Sequence, residues 1–156
     1  MNKLAVLGIV MLIFASCSTA TQTARQTEQA MRGTWVLNEI VNDQQRNVAV
    51  TQLFDHASLE CFTQSEWTFV ANNSTGNYWL SGDNCPQGQN NISWHTSVED
   101  GATYFWFKRL DGERARNVTS GYKMRVVSAD ASQIHLMHEI PSSEGSVNLH
   151  YYFTKK

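Results

Sequence analysis

The sequence predicts an all-β domain of about eight antiparallel strands, a sandwich or a barrel. Two observations carry this. Beyond Gly33 the apolar residues recur with period two, and turn residues interrupt them roughly every eight to twelve positions. Both prolines, Pro86 and Pro141, fall in predicted loops, as expected of a sheet that needs its backbone donors.

The first strand is predicted over residues 34–41, with Trp35 and Leu37 on one face and Val36 and Ile40 on the other. Residues 48–60 (VAVTQLFDHASLE) are less regular and leave room for a short helical turn. Residues 65–71 (SEWTFVA) alternate cleanly, which puts Trp67, Phe69 and Ala71 together. Residues 72–76 (NNSTG) read as a turn, residues 77–81 as the next strand, and residues 82–90 as a loop. Further strands are expected over 91–97, 102–110, 121–129, 133–140 and 146–154, with turns at Glu99-Asp100-Gly101 and Asp111-Gly112.

The last two strands permit a finer reading. Ile134, Leu136, His138 and Ile140 share a face, as do Val147, Leu149, Tyr151 and Phe153. Those faces coincide only if Ile140 lies opposite Val147 and Leu136 opposite Tyr151, because a one-residue slip would mix them. His138 then points inward, and His135 and His150 point out.

Ahead of this domain the chain reads MNKLAVLGIVMLIFASC. Lys3, the apolar run of residues 4–14 and the small residues before Cys17 form a secretory signal peptide. The run is too short for the roughly 20 residues that span a bilayer. A Cys directly after such a run resembles the lipobox of bacterial lipoproteins. The usual Leu and Gly or Ala are replaced here by Phe14 and Ser16. The resemblance implies an acylated Cys17 as the mature N-terminus and a membrane anchor, with an ordinary signal peptide cut nearby as the alternative. By the same resemblance, the absence of an acidic stretch after Ser18 implies an outer-membrane position facing the periplasm. The domains expected are residues 1–17 as leader, 18–31 as a polar tether and 32–156 as the β-domain; a short helix over residues 23–31 is the competing reading of the tether.

Net charge is −2 for the whole chain, and −3 once Lys3 leaves with the leader. No basic stretch tracks a phosphate backbone, so nucleic acid is not an expected partner. The three cysteines are odd in number. If Cys17 takes lipid, Cys61 and Cys85 remain as a pair for a disulfide, with two buried thiols as the alternative. No CxxC or HxxxH spacing suggests a metal, and His135 and His138 lie on opposite strand faces.

Gly33-Thr34-Trp35 at the head of the first strand resembles the lipocalin signature. The other lipocalin motif is only loosely echoed by Thr119-Ser120-Gly121-Tyr122. With the strand number and the leader, the chain resembles the lipocalin-like lipoproteins of Bacteroidota. A second resemblance is to META-type β-domains, on the same opening and on Gly82-Asp83-Asn84-Cys85. The lipocalin resemblance implies an up-and-down barrel whose floor is plugged by Trp35 under a cation, here Lys155 or Lys156. It also implies a small, mainly apolar ligand in the interior, no cofactor and no catalysis.

The expected lining is Trp67, Phe69, Trp79, Trp94, Trp106, Met124, His138 and Tyr151, with Tyr104 and Leu136. The other reading is plain core, because eight strands leave an interior just wide enough for side chains or one small ligand. The chain would then be an interaction module that meets an unknown protein partner through loops 42–47, 82–90 and 111–120. His138 is the expected orienter of a polar head group. Arg109, Arg114, Arg116, Lys123 and Arg125 read as a solvated face or as a basic rim for a carboxylate. No nucleophile–base constellation is visible.

Overall fold

The computed structural model describes residues 19–43, 50–142 and 145–156; the leader and Cys17 lie outside the described residues. Eight strands close a barrel in chain order: β1 (Gly33–Asn42), β2 (Glu66–Val70), β3 (Thr75–Trp79), β4 (Asn90–Glu99), β5 (Ala102–Arg109), β6 (Tyr122–Ala129), β7 (Gln133–Ser142) and β8 (Gly145–Lys155). Every neighbouring pair is antiparallel, and β1 pairs with β8 to complete the circle. The up-and-down barrel is thus the observed architecture, and closure removes the free edges that an open sheet would present. Ile140 lies opposite Val147 and Leu136 opposite Tyr151, the register that the apolar faces demanded.

Four side chains leave the faces expected of them. A bulge between Leu37 and Glu39 inserts one residue into β1, so Ile40 pairs with buried Tyr151 and packs on the core beside Leu37. The turn before β3 ends at Ser74, which takes the left-handed conformation, so β3 begins at Thr75 and Gly76 is a strand residue. A Cβ on Gly76 would come within 2.5 Å of the Thr68 carbonyl oxygen. Tyr78 therefore points in, and Trp79 stands outside at 47% exposure, not in the lining. In β5 the inward residues are Phe105 and Phe107, which puts Tyr104 and Trp106 on the outer wall.

The floor is built from the Gly-x-Trp stretch and a helix. Residues 19–31 are helical (α1), which is the competing reading rather than an extended tether. The segment lacks Gly and Pro, and beside its four Thr it carries three Ala and three Gln, which are good helix formers. Ala24, Glu28 and Met31 fall on one face of it. Thr96 donates its hydroxyl to the Ala24 carbonyl (2.8 Å) and its backbone N–H to the Glu28 carboxylate (2.9 Å). Trp35 Nε1 donates to the Met31 carbonyl (2.7 Å), and both side chains are fully buried.

Lys155 is the cation over Trp35, with Nζ 4.2 Å from the ring centroid and bonded to the Arg32 carbonyl. Gly33 has φ +112°, and a Cβ there would run into Lys155 Nζ. The glycine is needed for the backbone turn and for the close approach of the ammonium. At the other end, a second helix α2 (Leu59–Phe62) buries Cys61 and Phe62. Cys61 is bridged to Cys85, which ties α2 to the loop between β3 and β4.

Candidate functional site

The mouth of the barrel is filled by the chain itself. Between β1 and α2, Leu53 and Ala57 exchange backbone hydrogen bonds and close a small loop. At its tip Phe54 and Asp55 have φ of 53° and 48°. Left-handed backbone is uncommon for a bulky residue and costs of order 1–3 kcal/mol. Three contacts hold it. Arg109 donates to the carbonyls of Phe54 (3.2 Å) and Asp55 (3.0 Å) while pairing with Asp111 (2.7 Å). The Tyr122 hydroxyl donates to the Asp55 carboxylate (2.9 Å). The Phe54 ring is thereby driven into the lumen. It meets Phe107 at 4.9 Å, Tyr122 at 5.0 Å, Phe62 at 5.3 Å, His138 at 5.7 Å and Tyr151 at 5.9 Å, centroid to centroid.

Beneath that ring two polar atoms are buried without a hydrogen-bond partner among the described residues: His138 Nδ1 and Tyr151 Oη. The two rings sit on adjacent strands with centroids 6.5 Å apart. Burial alone lowers the His138 pKa and raises that of Tyr151, so both are neutral at pH 7. A neutral imidazole offers one donor and one acceptor, and a phenol offers either role. The pair can therefore bind a ligand's hydroxyl, carbonyl or amide.

Deeper in the barrel the expected lining is core. Trp67 stacks on Tyr78 at 4.4 Å, and Phe69 meets Trp94 at 5.2 Å and Phe105 at 5.4 Å. The indole N–H groups are already satisfied: Trp67 donates to Ser65 Oγ (2.8 Å) and Trp94 to the Thr75 carbonyl (2.7 Å). Met124 is buried with them. Of the residues predicted to line a pocket, Trp67, Phe69, Trp94 and Met124 thus fill the lower lumen. His138 and Tyr151 meet in the upper lumen. Trp79 and Trp106 are excluded from both by strand register. On the outer wall, Trp106 donates to Ser97 Oγ (3.0 Å) and carries the Lys123 ammonium 4.9 Å from its ring.

Sequence reasoning missed Phe54 and His56. His56 Nδ1 lies 2.8 Å from the Tyr78 hydroxyl, and burial, followed by the Arg109 charge, lowers its pKa. Neither residue lies in a periodic segment, so only the irregularity of residues 48–60 marked the place. A hollow of about 260 Å³ at the mouth is lined by Asp55, Arg109, Asp111, Glu113, Ser120 and Tyr122 among others. Three carboxylates there face one guanidinium already paired with Asp111, so this part of the rim is acidic rather than basic. Burial and the Asp55 bond push the Tyr122 pKa up to about 12. Among the described residues, no group of three or more His, Cys, Asp or Glu is placed to hold a metal ion.

No family model and no curated protein matches the sequence. Among solved structures, bovine odorant-binding protein in complex with a selenium-containing odorant is similar over 83% of this chain and 72% of that one, at 12% identity and a TM-score of 0.43. A deswapped triple mutant of bovine odorant-binding protein is similar over 81% and 74%, also at 12% identity and a TM-score of 0.43.

Proposed function

We propose that this chain is an exported, lipid-anchored binding protein that takes one small, mainly apolar molecule with a hydrogen-bonding group into the upper lumen. The ligand would stand where the Phe54 ring now stands. The observation that carries this is the pair of unpartnered atoms, His138 Nδ1 and Tyr151 Oη, beneath that ring. Buried polar atoms are nearly always hydrogen-bonded, and an unmade bond costs roughly 1–3 kcal/mol. A ligand group reaching both atoms would recover that energy, and its apolar remainder would replace the Phe54 contacts. The strained loop tip supports the exchange, because moving Phe54 out relieves backbone strain.

Lipid on Cys17 would hold the protein on the outer membrane, facing the periplasm. With α1 docked on the barrel, only Ser18 separates that lipid from the helical residues. The barrel would then sit close to the bilayer, not on a long tether. A second reading is a filled interaction module working through its loops, and the packed lower lumen favours it. Native mass spectrometry on the protein exported to a bacterial periplasm separates the two. An extra mass lost on denaturation supports the ligand-binding reading. A clean apo mass, unchanged by added fatty acids, sterol-like or haem-like compounds, supports the filled module.

A further inference from the structure

The outer wall of β1, β7 and β8 carries a side-chain cluster that the lumen does not use. His135 pairs with Tyr152 and Met137 with His150, so the two half-buried histidines are diagonal neighbours on one outer face. His135 Nε2 and His150 Nδ1 stand 2.8 Å apart. We propose that this pair is a surface site for a divalent transition-metal ion of tetragonal preference, Cu²⁺ before Ni²⁺.

The spacing is the first support. Two metal–nitrogen bonds of about 2.0 Å at a right angle put their nitrogens about 2.8 Å apart, the separation of cis ligands in a tetragonal site. A tetrahedral ion needs about 3.3 Å between the same atoms, so Zn²⁺ fits less well without a rearrangement. The second support lies behind the ligands. The remaining nitrogen of His150, Nε2, is 3.6 Å from the Asp43 carboxylate, which also accepts from Asn148 Nδ2 at 3.0 Å. A carboxylate behind a ligating imidazole fixes its tautomer and raises its basicity. The Tyr152 ring lies 4.3 Å from His135, within 23° of parallel, and limits that ring's rotation.

Charged groups near the pair include Asp43, just past the end of β1, Glu39 on β1, and Arg125, which faces Met137 from β6. Two acids against one base do not repel a cation. Protein ligands fill two positions and water the others, so binding in the micromolar range is expected. Copper outranks nickel at nitrogen sites by the general order of divalent affinities.

The test is a Cu²⁺ titration of the full chain carrying Cys17→Ser, since a free thiol would take copper itself. Electron paramagnetic resonance reads the bound ion. The expected result is one Cu²⁺ per chain with hyperfine structure from two nitrogens. It is lost in His135→Gln and in His150→Gln and kept in His95→Gln. Asp43→Asn should weaken binding by roughly tenfold to a hundredfold while leaving the two-nitrogen signature. The proposal is overturned if no copper binds at 100-fold excess over protein. It is equally overturned if the signal survives both histidine substitutions, which would make the pair a hydrogen bond and nothing more.

Discussion

The Phe54 ring lies 5.7 Å from the His138 imidazole and within 17° of parallel to it. A loop side chain on left-handed backbone thus covers a strand side chain whose Nδ1 has no partner. Under the proposed function the upper lumen has two competing occupants, the chain's own ring and a ligand.

Replacing that ring separates backbone strain from packing. Phe54→Ala and Phe54→Gly both remove the ring and should destabilise by about 3–5 kcal/mol. Glycine accepts φ +53° freely and alanine does not, so the Gly variant should be the more stable by about 1 kcal/mol. Urea denaturation reads the difference. A benzene-sized probe should bind both variants and leave the parent chain alone. Equal stability of the two variants would mean that the loop tip relaxes and stores no strain.

His138 also sets a pH dependence. Its folded pKa lies below the ordinary 6.5 because burial disfavours the imidazolium. The unfolded chain therefore binds more protons between the two values, and stability rises with pH there. The contribution is present above about pH 6.5, the unfolded value, and is lost as pH falls towards the folded one. His56 and His135 shift in the same direction and add to the slope. Denaturant midpoints at pH 5 to 8 should fall on acidification, and His138→Phe should flatten the profile without abolishing it. An unchanged profile in that variant would assign the whole slope to the other two.

The Cys61–Cys85 bridge closes a loop of 24 residues in sequence separation. In the chain-entropy account such a loop contributes about 3 kcal/mol. The bridge also anchors α2, whose Phe62 packs on Phe54 at 5.3 Å. Reduction should lower the calorimetric Tm by several degrees and loosen the mouth before the floor. Hydrogen exchange would show protection lost first around residues 50–62, and uniform loss would contradict a local role.

The last hairpin was legible because its alternation runs unbroken from Ile134 to Ile140 and from Val147 to Phe153. Period two carries a face assignment only where one of the two faces is polar. Tyr104-Phe105-Trp106-Phe107 is aromatic on both faces, so the pattern could not say which pair points in. Ile40 was misplaced by a bulge that sequence does not announce, and Trp79 by a turn that ends at Ser74. The floor was legible only through the resemblance of Gly33-Thr34-Trp35 to a known signature; the close approach of the Lys155 ammonium to Gly33 is visible only in the structure. The mouth was not, because Phe54 is inserted by hydrogen bonds from Arg109, 55 residues away in sequence. The bis-histidine pair was half legible: both rings were expected outside, but their meeting depends on register.

At the floor, Gly33 and Lys155 should be coupled. Lys155→Met removes the ammonium over Trp35 and should cost about 0.5–1 kcal/mol. Gly33→Ala should cost more, since its Cβ meets the ammonium and its φ of +112° is unsuited to alanine. In the double variant the steric part disappears and only the backbone part remains. The double variant should therefore be more stable than the two single losses sum to. Strict additivity in urea denaturation would show that Lys155 moves aside without penalty.

Tyr151→Phe discriminates most directly between the ligand-binding and filled-barrel readings. The hydroxyl is buried and has no partner, so its removal takes away an uncompensated desolvation cost and keeps the ring. The apo protein should be as stable as the parent or slightly more so, by urea denaturation. A core built only to be filled has no reason to retain that oxygen. If the upper lumen binds a ligand through its polar group, the same substitution should weaken binding by about 0.5–1.5 kcal/mol, the net value of one neutral hydrogen bond. A stability gain with no loss of affinity for any retained molecule would place Tyr151 in the core alone. A stability loss would mean that Oη has a partner in solution, a bound water being the simplest. In that case His138 Nδ1 would remain as the single free acceptor or donor in the site.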